Sequence, residues 1–129
     1  MTILVIEDSR FLRTAIEKIL AKAGYAVVAT GDGQEGLKLA LSVHPDLILL
    51  DMMLPSLEGT SVLSGLKHAR ETQSIPVVVL SSLPQSNEER LKAAGAAAYI
   101  QKSAIALSGD GESLVHIVRQ LTGGTAARN

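Results

Sequence analysis

Residues 3–8 read Ile3-Leu4-Val5-Ile6-Glu7-Asp8, four apolar residues followed directly by two acids. A second run of this kind, residues 47–51, reads Leu47-Ile48-Leu49-Leu50-Asp51. Short apolar runs without polar alternation are typical of strands buried on both faces of a parallel sheet. In open α/β sheets, binding sites form at the carboxyl edge, where such strands end. The three acids are therefore candidates for one shared site, which a cation would make electrostatically favourable.

Strand-like and helix-like patterns alternate five times along the chain. The other predicted strands are residues 25–30, 77–80 and 97–101. The first predicted helix runs from a Ser9 cap to Gly24, and the second from the turn at residues 31–33 to about Val43. The third covers about 60–71, and the fourth runs from a Ser86/Glu89 capping-box pattern to Gly95. The last is marked by an apolar stripe at residues 114–121. Five such units predict an α/β fold with helices on both faces of a parallel sheet. A flavodoxin-like (βα)5 three-layer sandwich of strand order 2-1-3-4-5 would place the strands of Glu7 and Asp51 side by side.

Bulk composition indicates one globular domain. The chain has 129 residues, of which 47% are hydrophobic and 19% charged, and its net charge of −1 does not favour direct nucleic-acid binding. It has no cysteine, which excludes disulfides and thiolate metal sites. No apolar run approaches the ~18 residues that would span a membrane, so we expect a cytoplasmic protein without membrane contact. The predicted domain covers residues 1–122, and residues 123–129 are predicted to be a flexible tail or the start of a linker.

Two further polar residues are predicted at the same sheet edge. Ser81 ends the fourth strand and Lys102 directly follows the fifth. Three carboxylates offer the oxygen ligands that a hard divalent cation such as Mg²⁺ prefers. An aspartate beside such an ion can act as a nucleophile on phosphorus and form an acyl phosphate. Lys102 would neutralise charge in that reaction, and Ser81 could donate a hydrogen bond to a phosphoryl oxygen.

Each of these residues also has a simpler interpretation. Asp8 could merely cap the first helix, and Asp51 could be an ordinary loop acid. Ser81 is a common residue at a strand end, and Lys102 is a common exposed one. Glu7 is harder to explain in this way because it directly follows four apolar residues. The coincidence of all five at one edge favours a functional site.

The pieces that occupy these positions carry a family resemblance. They are Ile6-Glu7-Asp8, then Leu50-Asp51-Met52-Met53-Leu54-Pro55 with Gly59, then Leu80-Ser81-Ser82, and finally Tyr99-Ile100-Gln101-Lys102. In this order and spacing, the chain resembles the receiver domain of two-component response regulators over nearly its whole length. The resemblance implies that the chain catalyses its own phosphorylation and is not an enzyme with an independent product.

The resemblance assigns a role to each site residue. It implies that Asp51 is the phosphoacceptor and takes phosphate from a histidine kinase or a histidine phosphotransfer protein. It implies that Mg²⁺ (or Mn²⁺) is held by Glu7, Asp8, Asp51 and the backbone carbonyl of Met53. The residues expected to bind the phosphoryl group and switch are Ser81, Ser82, Lys102 and Tyr99. Ser81 would move toward the phosphoryl group, and the small Ser82 side chain would leave the pocket open. Tyr99 would be the switch aromatic. The simpler interpretation is that Tyr99 is a half-buried strand residue with its hydroxyl in water.

Two departures from the family pattern affect the output face, which the fourth helix, fifth strand and last helix form. Ser103 follows Lys102 where the family usually has proline, and a cis bond there would cost ~2.5–4 kcal/mol, so we expect a trans bond or a strained one. Residues 103–111 are predicted to be an unusually long loop, and one hypothesis is that it contacts a partner. The downstream partner is not indicated, and a phosphorylation-dependent dimer is a further alternative.

Because Met53 and Leu83 are apolar and cannot orient water, slow self-dephosphorylation is predicted.

Three alternatives remain at this stage. An aspartate-nucleophile phosphatase would need a second acid two residues after the nucleophile, where this chain has Met53. A flavodoxin-like flavin-binding domain would need a phosphate-cradling loop after the first strand, where residues 7–10 read Glu-Asp-Ser-Arg. The chain could also be a receiver domain excised from a longer multidomain regulator or hybrid kinase.

Overall fold

Five parallel strands form one sheet in the computed structural model, which describes residues 1–52, 59–81, 88–107 and 111–123. The strands are β1 (Thr2–Ile6), β2 (Ala26–Thr30), β3 (Leu47–Asp51), β4 (Val77–Ser81) and β5 (Ala98–Gln101). Their order is β2-β1-β3-β4-β5, and every neighbouring pair is parallel. The predicted flavodoxin-like order is therefore confirmed. Because Ile6 pairs with Leu50, Glu7 and Asp51 follow at the same level of two adjacent strands.

Helices connect the strands and cover both faces of the sheet. They are α1 (Arg10–Lys22), α2 (Gly33–Val43), α3 (Gly59–His68), α4 (Glu88–Ala93), α5 (Lys102–Leu107) and α6 (Glu112–Thr122). The predicted cap of α1 is confirmed, since Ser9 Oγ accepts from the Leu12 amide at 3.2 Å. The helix ends as predicted, with Gly24 in the left-handed region at φ 99°. No described helix is long and apolar enough to cross a membrane.

The core lies in two layers, one on each face of the sheet. On one face, α1, α5 and α6 pack through buried residues that include Leu12, Ile16, Ile105, Leu114 and Val118. On the other face, α2 and α3 pack through a second cluster that includes Ala40, Val62, Leu63 and Leu66. All residues of β3 and β4 are buried, as their continuous apolar sequences predict for central strands.

Several predicted boundaries are corrected by local hydrogen bonds. Helix α3 ends at His68 and not near residue 71, because the buried Thr72 hydroxyl donates to the Leu66 carbonyl at 2.6 Å and a turn begins at Ala69. Strand β2 begins at Ala26, since the Tyr25 amide still bonds the Leu20 carbonyl. Strands β3 and β4 each extend by one residue, and β5 starts one residue later than predicted. The predicted Ser86 cap lies outside the described residues.

The predicted long loop after β5 is wrong over its first half. Residues 102–107 form α5, and Ile105 is buried at 3% exposure in the first core cluster. Burial of this side chain explains why a segment without glycine or proline folds as a helix instead of extending as a loop. The Lys102–Ser103 bond is trans, because the described residues contain no cis peptide bond. Residues 108–110 lie outside the described part of the chain.

A glycine in α2 permits the close packing of that helix on the sheet. A Cβ atom built on Gly36 would lie 2.5, 2.8 and 3.2 Å from three side-chain atoms of Ile6. We expect Gly36→Ala to lower the free energy of unfolding by about 1–3 kcal/mol, because the extra methyl overpacks a filled core. Chemical denaturation, followed by circular dichroism, would measure the change.

The matched control is Gly65→Ala in α3, where an added Cβ would meet Leu37 alone among the described side chains, at 3.2 Å or more. Leu37 is partly buried and can shift, so the helix propensity of alanine should leave Gly65→Ala neutral or slightly stabilising. Equal destabilisation of both variants would contradict the packing argument.

Candidate functional site

Two buried carboxylates and one ammonium meet at the carboxyl edge of the sheet. Glu7 follows β1, Asp51 ends β3, and Lys102 follows β5 as the first residue of α5. The Lys102 Nζ atom lies 2.9 Å from Asp51 Oδ1 and 3.1 Å from Glu7 Oε1. It also donates a hydrogen bond to Glu7 Oε2 at 3.2 Å. The predicted convergence of these three residues is therefore observed.

Burial makes the charges of this group strongly interdependent. The side chains of Glu7 and Asp51 are 0% and 1% exposed, whereas that of Lys102 is 22% exposed. Burial, followed by the nearby charge of Asp51, raises the pKa of Glu7 despite the Ser9 amide and Lys102, which act in the opposite direction. Burial disfavours the Lys102 ammonium, but the Asp51 hydrogen bond and the two carboxylate charges outweigh it and raise the pKa of Lys102. The two acids are thus held together at an electrostatic cost that Lys102 only partly offsets.

The β1–α1 turn directs backbone amides at both carboxylates. The Ser9 amide donates to Glu7 Oε2 at 2.8 Å, and the Asp8 amide donates to Asp51 Oδ2 in a long hydrogen bond of 3.4 Å. The Asp8 residue itself is exposed. The helix cap is supplied by Ser9, so the simpler interpretation of Asp8 as the cap of α1 is wrong.

One carboxylate oxygen has no hydrogen-bond partner among the described residues. Glu7 Oε1 is buried and accepts no hydrogen bond from them, although it lies at ion-pair distance from Lys102 Nζ. A buried acceptor of this kind is unfavourable unless another donor or a cation reaches it. In the present conformation, no three acidic or histidine side chains of the described segments converge closely enough to hold a metal ion.

The other predicted site residues lie near this edge or outside the described part. Ser81 ends β4 beside β3 and is buried, pairing with Gln101 in the sheet register. Tyr99 is 7% exposed and packs in the second core cluster. It is therefore more buried than the simpler interpretation, a half-buried strand residue with its hydroxyl in water, predicts. Met53, Ser82 and Leu83 lie outside the described residues.

Sequence reasoning missed Arg13, which contacts the site from α1. Its guanidinium Nη1 donates to the Glu7 carbonyl at 2.8 Å and to the Asp8 carbonyl at 3.4 Å. The only available signal was an arginine on the second turn of α1, six residues after Glu7. That spacing does not identify a contact with a carbonyl, because arginine at such a position is usually solvated.

Comparison with known proteins agrees with this geometry. The family model described as the response regulator receiver domain matches residues 3–108. The chain belongs to this family. It is thus a response regulator receiver domain of two-component signalling, and such domains generally interact with histidine kinases and effectors.

Individual relatives of this receiver domain are moderately similar. The polar-differentiation response regulator DivK of Brucella ovis is 34% identical over 102 residues, which cover 78% of this chain and 83% of DivK. A receiver domain of a sensor histidine kinase from Pseudomonas aeruginosa, solved with magnesium in its active-site cleft, is 27% identical with a TM-score of 0.81, covering 95% of this chain and 98% of that one. The Mn²⁺-bound response regulator Rcp1 is 25% identical with a TM-score of 0.75, covering 90% of each chain.

Proposed function

We propose that this receiver domain accepts a phosphoryl group on Asp51 from a phospho-histidine donor, either a histidine kinase or a histidine phosphotransfer protein. The observation that carries the proposal is the Asp51 carboxylate itself, which is buried at the sheet edge with the Lys102 ammonium 2.9 Å from one oxygen. The aspartate-nucleophile phosphatase and the flavodoxin-like binding domain are not supported, because the family match covers most of the chain.

The proposed reaction is a displacement at phosphorus. A carboxylate oxygen of Asp51 forms the new P–O bond while the P–N bond to the donor imidazole breaks, and that nitrogen takes the electron pair. Phosphoryl transfer depends mainly on positioning and on neutralisation of the oxygens' charge. Lys102 supplies positive charge, and the Asp8 amide supplies a donor on the Oδ2 side of Asp51.

The donor atoms of this site fit a hard divalent cation. They are carboxylate oxygens, and one of them has no hydrogen-bond partner in the described part of the chain. Among the same residues, two buried carboxylates share the Lys102 ammonium. Glu7, Asp8, Asp51 and the Met53 carbonyl would hold Mg²⁺ (or Mn²⁺). When bound, the ion would neutralise the negative charge of the acids and of the incoming phosphoryl group. Because Asp8 is exposed and does not converge with the two buried acids among the described residues, its side chain would have to turn toward them.

The proposed switch uses Ser81 at the end of β4, the Ser82 residue that follows it in sequence, and Tyr99 on β5. Ser81 and Ser82 would bind the phosphoryl group, and movement of Ser81 would change the space available to Tyr99. The signal would then reach the face formed by α4, β5 and the helices that follow it. The effector contacted there is proposed to be a protein, with a phosphorylation-dependent dimer as one form of output and no direct contact with nucleic acid.

The proposal also covers the extent and the kinetics of the domain. Residues 1–122 would be the receiver and residues 123–129 a tail or linker, within a stand-alone regulator or a longer one. Its place of action would be the cytoplasm. Self-dephosphorylation would be slow because Met53 and Leu83 cannot orient water.

Incubation with a small phosphodonor tests the proposal directly. With phosphoramidate and Mg²⁺, we expect an intact-mass increase of one phosphoryl group that hydroxylamine removes, as it does from acyl phosphates. Addition of EDTA before the donor should prevent the adduct. Absence of any adduct under metal-replete conditions, in protein that is folded by circular dichroism, would overturn the proposal.

A further inference from the structure

We propose that Arg13 is a positioning residue for Asp51 and acts through the peptide bond between Glu7 and Asp8. This inference rests on the proposed function of Asp51 as the phosphoacceptor. It assigns Arg13 the task of holding and polarising one backbone amide that donates to the reacting carboxylate.

The two ends of one peptide group carry the argument. The Glu7 carbonyl accepts from Arg13 Nη1 at 2.8 Å, while the Asp8 amide of the same peptide donates to Asp51 Oδ2 at 3.4 Å. In a trans peptide the C=O and N–H groups point in opposite directions within one plane. The orientation that Arg13 imposes on the carbonyl therefore also fixes the direction of the amide toward Asp51.

A charged donor does more than fix the plane. Hydrogen bonds from a guanidinium are about twice as strong as those between neutral groups. Polarisation of the carbonyl also strengthens the N–H of the same peptide as a donor, as in other hydrogen-bond chains. The two oxygens of Asp51 then have different partners, with Lys102 at Oδ1 and the Asp8 amide at Oδ2.

Gly31 provides the space that this contact requires. A Cβ atom at this residue would lie 2.7 Å from Arg13 Nη1 and 3.5 Å from the Glu7 carbonyl oxygen. The φ angle of Gly31 is not positive, so a larger residue would be disfavoured here by lack of space and not by the backbone conformation. The guanidinium is thus enclosed between the end of β1 and the residue that follows β2.

Variants at Arg13 test the proposal through the phosphorylation rate. With phosphoramidate and saturating Mg²⁺, we expect Arg13→Met to react about tenfold more slowly than wild type, because the amide loses its orientation. Arg13→Lys should recover part of the rate, since an ammonium can still donate to the carbonyl. The control is Arg10→Met, which removes an exposed arginine three residues earlier and should change the rate less than about twofold.

A second readout separates positioning from general stability. In ¹⁵N–¹H spectra recorded without metal or donor, the Asp8 amide proton should move upfield in Arg13→Met and stay in place in Arg10→Met. Introduced into wild type, Gly31→Ala should slow phosphorylation and move the Asp8 amide proton upfield. Added to Arg13→Met it should change little further, because both substitutions remove the same contact.

The outcomes distinguish this inference from the proposed function. Failure of wild type to form an adduct would remove the function and, with it, the inference. A wild-type adduct, together with an unchanged rate and an unchanged Asp8 amide in folded Arg13→Met, would overturn the inference alone. Strictly additive effects of Gly31→Ala and Arg13→Met would overturn it as well.

Discussion

Asp51→Asn is expected to abolish the phosphoryl adduct, with a loss of rate of about a thousandfold or more. An amide oxygen cannot form the acyl phosphate, and the other buried acid beside Lys102, Glu7, already accepts from the Ser9 amide and from Lys102 through Oε2. The fold should survive, because removal of the Asp51 charge relieves one of the causes that raise the pKa of Glu7. Intact mass after exposure to phosphoramidate and Mg²⁺ would measure the adduct, and thermal unfolding would report the stability.

The matched control for this prediction is Asp46→Asn. Asp46 is exposed and accepts from the Thr2 amide at 2.8 Å, a contact that an asparagine oxygen can replace. Its phosphorylation should equal that of wild type. An undiminished adduct in Asp51→Asn would show that phosphate is transferred to another residue.

Lys102→Met should destabilise the domain and slow its phosphorylation about a hundredfold. Loss of the ammonium leaves two buried carboxylates facing each other. We expect the metal-free protein to lose roughly 2 kcal/mol, less than the ~3–5 kcal/mol of fully buried pairs, because Lys102 is 22% exposed. The raised pKa of Lys102 means that its stabilising charge is fully present at neutral pH and is lost only in strongly alkaline solution.

Two rescues make this prediction specific to charge. Mg²⁺ should raise the unfolding temperature of Lys102→Met by more than it raises that of wild type, because the ion supplies the missing positive charge. Glu7→Gln, added to Lys102→Met, should recover stability by removing one of the two acids. Lys18→Met, at an exposed position on α1, serves as the control and should behave as wild type. If neither rescue had an effect, the loss would come from packing and not from charge.

The central site could be predicted because it depends on strand ends. Glu7, Asp51 and Lys102 each follow or end an apolar run, and parallel strands bring such positions to one edge. The strand order 2-1-3-4-5 is favoured because it places the strands of Glu7 and Asp51 side by side. The alternation of strands and helices is a short-range property of the sequence, whereas the strand order pairs residues far apart in the chain and is indicated by the acids that it brings together.

Features that depend on tertiary packing were missed. The helix at residues 102–107 is stabilised by burial of Ile105, which no local pattern distinguishes from an apolar residue in a loop. The end of α3 depends on the Thr72 hydroxyl reaching back to Leu66. The contact between Arg13 and the Glu7 carbonyl depends on how α1 packs against the sheet through the first core cluster.

The order of elements along the chain has a consequence for biosynthesis. Strands β1, β2 and β3 all lie within the first 52 residues, so Asp51 leaves the ribosome about fifty residues before Lys102, and Glu7 leaves it earlier still. A nascent chain that closed this half of the sheet would bring the two carboxylates together without their counter-charge. Repulsion between them therefore disfavours early closure and links folding of the first half to the arrival of β5. Cations in the cell would weaken that dependence by screening the acids before synthesis of the domain is complete.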